Sequence, residues 1–331
     1  MGGRRGAGSL LTSRIFEIVA AEFAAFTIIG LKYGALFARL KPLSPLLVFT
    51  MLLQPMYAIE AGWGLLRRLR RSARLLAAAL LLYTALYPLE TLLLVAPARH
   101  LLAPQAAALL AGVVLVALAP VAMPAPAFAA LAGGNVELSI ATVVATFAAA
   151  PLVMPIWARL LLHQAAAHSP TAMIVRSIVI YIGGSFAAAQ ALRLLVTRLP
   201  PSQRASTGPR VARLLALTSC LSLYTLVAIV VAVSAPTIAR LAGSVAALAA
   251  LLLAYNACRY LAAYLAARLL RAGCGSTVSL ALTGSQNGAL GMALAIPLGP
   301  LPAAGAVLAG PLIVLPTMAA VVRALRCPAS Q

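Results

Sequence analysis

Long apolar runs follow one another from about residue 15 to residue 322, each interrupted by a short cluster of Pro, Gly or Arg. Most approach the roughly 20 residues that a helix needs to cross the hydrocarbon core of a bilayer. Reading the interruptions as loops places spans at 15–38, 43–60, 74–96, 105–132, 136–161, 174–197, 211–234, 241–267, 276–297 and 301–322. The expected fold class is an all-α integral membrane protein with ten transmembrane helices. Arg4, Arg5 and Arg14 resemble the basic start of a signal peptide, but no small-residue cleavage site follows, so this stretch is read as leading into the first span.

Basic residues orient the spans, because loops rich in Lys and Arg stay on the cytoplasmic side. With the N-terminus inside, the inner loops hold Arg67, Arg68, Arg70, Arg71 and Arg74, then Arg193, Arg198, Arg204, Arg210 and Arg213, then Arg268 and Arg271. The outer loops hold fewer: Arg39, Lys41, Arg99, Arg159, Arg176 and Arg240. Both termini are expected in the cytoplasm, with the protein in a plasma or inner cell membrane. The Arg67–Arg74 run would anchor that side and attract anionic lipid.

Ten spans divide into two sets of five, and a five-crossing unit followed by its copy must insert upside down. Inverted repeats of this kind build many secondary transporters. Span four then corresponds to span nine, and both are irregular. Span four carries Pro120, Pro124 and Pro126, which remove backbone donors from a helix. Span nine carries Gly284, Gly288 and Gly291 around Thr283, Ser285, Gln286 and Asn287. Interrupted helices at corresponding positions point to a binding site at the membrane midplane, since irregular backbone survives at that depth only when buried or lining a cavity. Pro and Gly are also common in ordinary membrane helices, whereas the adjacent amides of Gln286 and Asn287 need partners that hydrocarbon lacks.

Composition narrows the chemistry. Of 331 residues, 63% are hydrophobic and 9% charged, against about 25% charged in soluble domains, which excludes a water-soluble fold. The five acids are all Glu: Glu17, Glu22, Glu60, Glu90 and Glu137. Without Asp or clustered carboxylates, two-metal phosphoryl transfer, aspartic proteolysis, EF-hand calcium binding and Ser-His-Asp catalysis are excluded. A net charge of +20 suggests nucleic acid at first sight. The bases sit in short gaps between spans, so topology accounts for them and no nucleic-acid partner is expected. Cys220, Cys258, Cys274 and Cys327 are scattered, which argues against a disulfide framework or a zinc site, and the three His lack metal-binding spacing.

Several side chains inside spans are candidates for function. Ser139, Thr142 and Thr146 share one face of span five and would line a pocket or bond to a neighbouring helix. Glu137 would either neutralise a cation or carry a proton near the crossover, or sit at the interface where the helix dipole favours an acid. Glu90, two residues after Pro88, would serve the same chemistry or pair with an Arg from another span. Arg259 in span eight is expected to snorkel to the cytoplasmic side, with anion binding as the second reading.

Two motifs in order carry a family resemblance: Gly134-Asn135-Val136-Glu137-Leu138-Ser139 before span five, and Thr283-Gly284-Ser285-Gln286-Asn287, then Gly288-Ala289-Leu290, in span nine. Weaker echoes are Phe49-Thr50-Met51 and Pro88. The sequence thereby resembles the bile acid:sodium symporter family, which reads G-N-V-A-L-S and E-T-G-M-Q-N at these places. The resemblance implies panel helices 1, 2, 6 and 7 (residues 1–72 and 170–235) and core helices 3, 4, 5, 8, 9 and 10 (73–169 and 236–331). It implies crossing, broken helices four and nine and symport of an organic anion, bile-acid-like or a small carboxylate, with sodium. Substrate or ion contacts would come from Asn135, Glu137, Ser139, Thr142, Thr283, Gly284, Ser285, Gln286 and Asn287, with Glu90 and Thr146 as additions.

The sodium ligands carry over poorly. Ala125 and Pro126 stand where the family has a Ser-Asn pair, Val143 where it has Thr, Leu282 where it has Glu, and Tyr83 near a Gln. Ser139 and Gln286 keep ligand chemistry for sodium, beside Asn287 and the backbone of Thr283 and Ser285. The expected function is secondary active transport by alternating access, coupled to sodium, to protons or to neither, with no cofactor other than that ion. The rival is a non-transporting sensor or lipid-binding scaffold built on the same fold. Arsenite efflux, the work of a related family, calls for a Cys in span four, and Leu101–Gly134 has none. An enzyme is not expected, because no nucleophile is paired with a base, and the sequence leaves the oligomeric state open. The orientation is checked with reporter fusions after Ala272 and at the C-terminus. Both should give fluorescent green protein and inactive alkaline phosphatase.

Overall fold

A computed structural model describes residues 21, 24–58, 70, 72–102, 108–162, 175–177 and 179–327, and every regular element among them is helical. Glu17, Glu22, Glu60, the first part of span one and most of the Arg67–Arg74 run lie outside the described residues. Helix α1 (Ala24–Ala38) leads through the 3-10 turn Lys41–Leu43 into α2 (Ser44–Ala58), with a bend of 76°. Then come α3 (Ala73–Ala98), with a π-helical stretch at Leu82–Leu86, the short α4 (Leu109–Ala117) and α5 (Ala125–Leu131), and α6 (Val136–Leu162). After these follow α7 (Val175–Thr197), α8 (Pro201–Arg240), α9 (Ala242–Leu269), the short α10 (Cys274–Ala281) and α11 (Gly288–Ala295), and finally α12 (Pro300–Ala309) and α13 (Pro311–Ala324).

The helices fall where the apolar runs do, but not all as single crossings. Among the described residues, six are long and apolar enough to cross a membrane: α3, α6, α7, α8, α9 and the pair α12–α13, with α1 and α2 as a seventh if that bent pair is one span. Within the runs 105–132 and 276–297, the described residues form two short helices around a break in each. Helix α8 extends beyond the expected 211–234 at both ends. Its first turns carry exposed Arg204, Arg210 and Arg213, so it continues as a helix where its surface turns polar. Large apolar side chains such as Leu93 and Leu152 face outward, as they do when lipid is the solvent.

Helix α2 packs along α7 and α8, and α8 reaches α12; α12 in turn packs on α4, and α9 on α3, α10 and α13. The closest approaches are at glycine, because attraction between helices in lipid depends on backbone proximity. A Cβ at Gly112 in α4 would overlap the Pro302 carbonyl, and one at Gly305 in α12 would overlap that of Leu109. Helix-interior prolines free carbonyls that other helices then satisfy. Pro55 cannot donate to Met51 O, which instead accepts from Ser219 Oγ at 2.6 Å. Pro88 cannot donate to Thr84 O, which accepts from Trp157 Nε1 at 2.9 Å.

The expectation that the cysteines stay unpaired is overturned. Cys274 and Cys327 form a disulfide, their Cα atoms 5.9 Å apart. The sequence separation of 53 concealed it. The chain after α13 returns to the α5–α6 turn, where the Cys327 N–H donates to Ala132 O at 2.9 Å and so brings the sulfur to the start of α10. Cys220 and Cys258 are free and exposed.

Two measurements check this packing. Gly112→Leu and Gly305→Leu should each cost about 3 kcal/mol or more through overpacking, read as a lower unfolding temperature. Gly243→Leu, with open space around it, should change stability by less than about 0.5 kcal/mol. Maleimide labelling of the denatured, unreduced protein should modify Cys220 and Cys258, and Cys274 and Cys327 only after reductant.

Candidate functional site

The two breaks meet. Helix α4 ends at Ala117, and residues 118–124 run irregularly because Pro120 and Pro124 deny the backbone helical donors. Helix α10 ends in the 3-10 turn Leu282–Gly284, after which Ser285 is extended. The Asn287 N–H donates to Pro120 O at 2.7 Å, tying one break to the other. Asn287 Oδ1 accepts from Leu290 N at 2.9 Å and so caps α11, while Ser285 Oγ donates to Leu282 O at 2.6 Å. Side chains of other helices satisfy the remaining groups. Thr146 Oγ1 on α6 accepts from Val121 N at 3.3 Å, and Tyr83 on α3 donates to Leu118 O at 3.3 Å.

At the centre is Arg259, which does not snorkel: it is 1% exposed and the largest fully buried side chain among the described residues. Its Cα is ten residues before Leu269, about 15 Å along the helix, too far for the side chain to reach the end of α9. The guanidinium has partners close at hand. Nε donates to Gly284 O at 3.0 Å, and Nη1 donates to Ala117 O at 2.8 Å and to the Tyr255 hydroxyl at 2.8 Å. Its carbon lies 3.9 Å from the centre of the Tyr87 ring. Thr91 Oγ1 spends its proton on Tyr87 O at 2.7 Å, so the Tyr255 hydroxyl donates to Thr91 while accepting from Arg259. The Tyr87 hydroxyl is 3.2 Å from Thr283 Oγ1. A single cation thus ties α3, α4, α9 and the end of α10 together.

The other candidates separate into two groups. Ser139, Thr142, Thr146, Thr283, Ser285, Gln286 and Asn287 are all buried. Thr142 donates back to Leu138 O at 2.8 Å, a bond within its own helix. Gln286 Oε1 is buried with no hydrogen-bond partner, an acceptor that calls for a donor. Gly284 sits against the α9 backbone, where a Cβ would lie 2.9 Å from Tyr260 N. Asn135 is a capping residue: Oδ1 accepts from Leu138 N at 3.0 Å, its N–H donates to Gly275 O at 2.8 Å, and its carbonyl accepts from Ser279 Oγ at 2.7 Å. Glu137 is exposed in the first turn of α6, nine residues or about 13 Å of helix from Thr146 and the breaks. Glu90 is partly buried on α3, with Oε2 lacking a hydrogen-bond partner.

Sequence reasoning missed Arg259 as the centre, and with it Tyr83, Tyr87, Thr91 and Tyr255. The available signal was spacing. Tyr83, Tyr87 and Thr91 recur every four residues on one face of α3, and Tyr255 precedes Arg259 by four on α9.

A sodium cage of the kind the motif implies does not fit these residues. Leu282, fully buried, stands where a carboxylate is needed, Ala125 and Pro126 offer no side-chain oxygen, and the Gly284 carbonyl already binds a guanidinium.

No curated protein matches the chain. The family model for the Sodium Bile acid symporter family matches residues 45–242, which is α2 through the first residue of α9 and more than half of the sequence. With its multi-pass helical build, the chain therefore belongs to the sodium bile acid symporter family.

Proposed function

We propose that the protein is a secondary transporter of an organic anion, bile-acid-like or a small carboxylate, working by alternating access. The observation that carries this reading is the junction of two interrupted helices through Asn287 N and Pro120 O, deep in an apolar bundle. Irregular backbone at that depth is costly and is characteristic of transporter binding sites. In this reading the chain forms two inverted five-helix repeats. The panel, α1, α2, α7 and α8, rocks against the core, α3–α6 and α9–α13, in a cell membrane with both termini cytoplasmic. The substrate carboxylate accepts from the Gln286 side-chain NH2 beside the start of α11, and the helix N-terminus adds partial positive charge favourable to a carboxylate, while Gln286 Oε1, buried without a partner, is left to accept from a donor on the substrate. Thr283, Ser285, Asn287 and the Ser139–Thr142–Thr146 face complete the pocket, with Asn135 holding the turn that places α6. Of the two described acids, Glu90 is the one suited to carrying a proton, being partly buried, whereas Glu137 is exposed at the start of α6.

The departures from the family's sodium ligands favour one other reading, a sensor or lipid-binding scaffold that binds without transporting. Uptake separates them. Proteoliposomes containing the protein should accumulate a radiolabelled bile acid or small carboxylate above protein-free liposomes under at least one of a sodium gradient, a pH gradient or a substrate gradient alone. Gln286→Ala should lower the apparent affinity about tenfold or more, the effect of losing a hydrogen bond to a charged ligand. Absence of uptake under every gradient would overturn the proposal, and ligand-dependent thermal stabilisation without flux would establish the rival.

A further inference from the structure

We infer that Arg259 is this protein's resident cation: its guanidinium occupies the meeting point of the two half-helix C-termini, and thereby excludes sodium from the crossing. The argument begins with the carbonyls. A helix C-terminus carries about half a negative charge, and in interrupted transporter helices such ends, with unwound carbonyls, are where a coupling cation binds. Here α4 ends at Ala117 and the turn after α10 ends at Gly284, and both carbonyls accept from one side chain, at 2.8 and 3.0 Å. The Tyr255 hydroxyl accepts from the same Nη1, and the face of Tyr87 lies 3.9 Å from the guanidinium carbon. A guanidinium stays charged at any physiological pH and offers five donors in a rigid plane, so it meets several carbonyls at once.

A second observation fits the first. Leu282 opens the turn that ends at Gly284, is fully buried, and puts a hydrocarbon side chain where an acid would complete a metal cage. With that acid gone, the Arg259 charge is met by dipoles and a ring face: the Ala117 and Gly284 carbonyls, the Tyr255 hydroxyl and the Tyr87 ring. A sodium ion about 4 Å from the guanidinium would be disfavoured roughly a thousandfold at an effective dielectric constant near 20. The consequence for transport, that substrate moves without sodium, rests on the transporter reading; the exclusion of sodium from the crossing does not.

The test therefore uses the full-length protein in detergent, without substrate. Its unfolding temperature is followed while sodium chloride replaces N-methyl-D-glucamine chloride at constant ionic strength. The wild type should show no sodium-dependent change, and Arg259→Lys, which keeps a cation, should behave likewise. Arg259→Ala should unfold about 10 °C lower, with partial recovery on adding methylguanidinium below denaturing concentrations. Saturable stabilisation of the wild type by sodium would overturn the inference, as would an Arg259→Ala protein as stable as the wild type and indifferent to methylguanidinium. If Arg259→Ala cannot be purified, the sodium titrations of the wild type and Arg259→Lys decide the matter.

Discussion

The guanidinium of Arg259, held between the carbonyls of Ala117 and Gly284, makes the centre of this protein possible. Two helices that stop inside an apolar bundle leave backbone carbonyls and N–H groups without water to satisfy them, each at a cost of several kcal/mol in hydrocarbon. Arg259 covers the C-terminal ends of both. The other open groups are met one by one: Pro120 O by the Asn287 N–H, Leu118 O by Tyr83, Val121 N by Thr146 and Leu290 N by the Asn287 side chain. A charge so deeply buried would itself be prohibitive without several acceptors and an aromatic face. The breaks and the cation thus require each other.

The same need for partners shapes the periphery. Pro55 and Pro88 interrupt hydrogen-bond ladders, and Ser219 and Trp157 occupy the carbonyls they free. Ser219 links α8 to α2 and Trp157 links α6 to α3, so each interruption becomes a specific contact between helices. Glycine does the corresponding work where backbones touch, at Gly112 and Gly305 between α4 and α12. These contacts surround the interrupted helices with a close-packed frame and leave the buried, unpartnered oxygen of Gln286 as an open acceptor beside the crossing.

Much of this was legible in the chain. The apolar runs located the helices, the prolines of 120–126 and the glycines of 284–291 located the breaks, and the buried polar run at Thr283–Asn287 stands where the breaks meet. What hydropathy could not supply was the direction in which a side chain points. Arg259 and Glu137 are both charged residues at apolar segments, yet the first is mid-helix and turned toward two carbonyls while the second lies in an exposed first turn. Snorkelling is the cheaper outcome only when the interior offers a cation nothing, and here it offers two helix ends. The Cys274–Cys327 bond escaped for a related reason: it depends on the chain folding back after α13, which no local pattern encodes. Spacings of four residues at Tyr83, Tyr87 and Thr91, and at Tyr255 and Arg259, were the signal within reach.

Under the proposed transport function, a tethered cation changes how the crossing is used. A metal ion arrives and departs with each cycle and so couples its gradient to the substrate, whereas Arg259 stays in place and supplies the same positive charge permanently. The most direct measurement is an experimental density map of the protein purified in sodium-containing buffer, resolved well enough to separate a guanidinium from a metal ion. The account predicts continuous side-chain density from Arg259 to the Ala117 and Gly284 carbonyls with no metal ion between them. A sodium ion coordinated by those carbonyls, with Arg259 turned away, would contradict it.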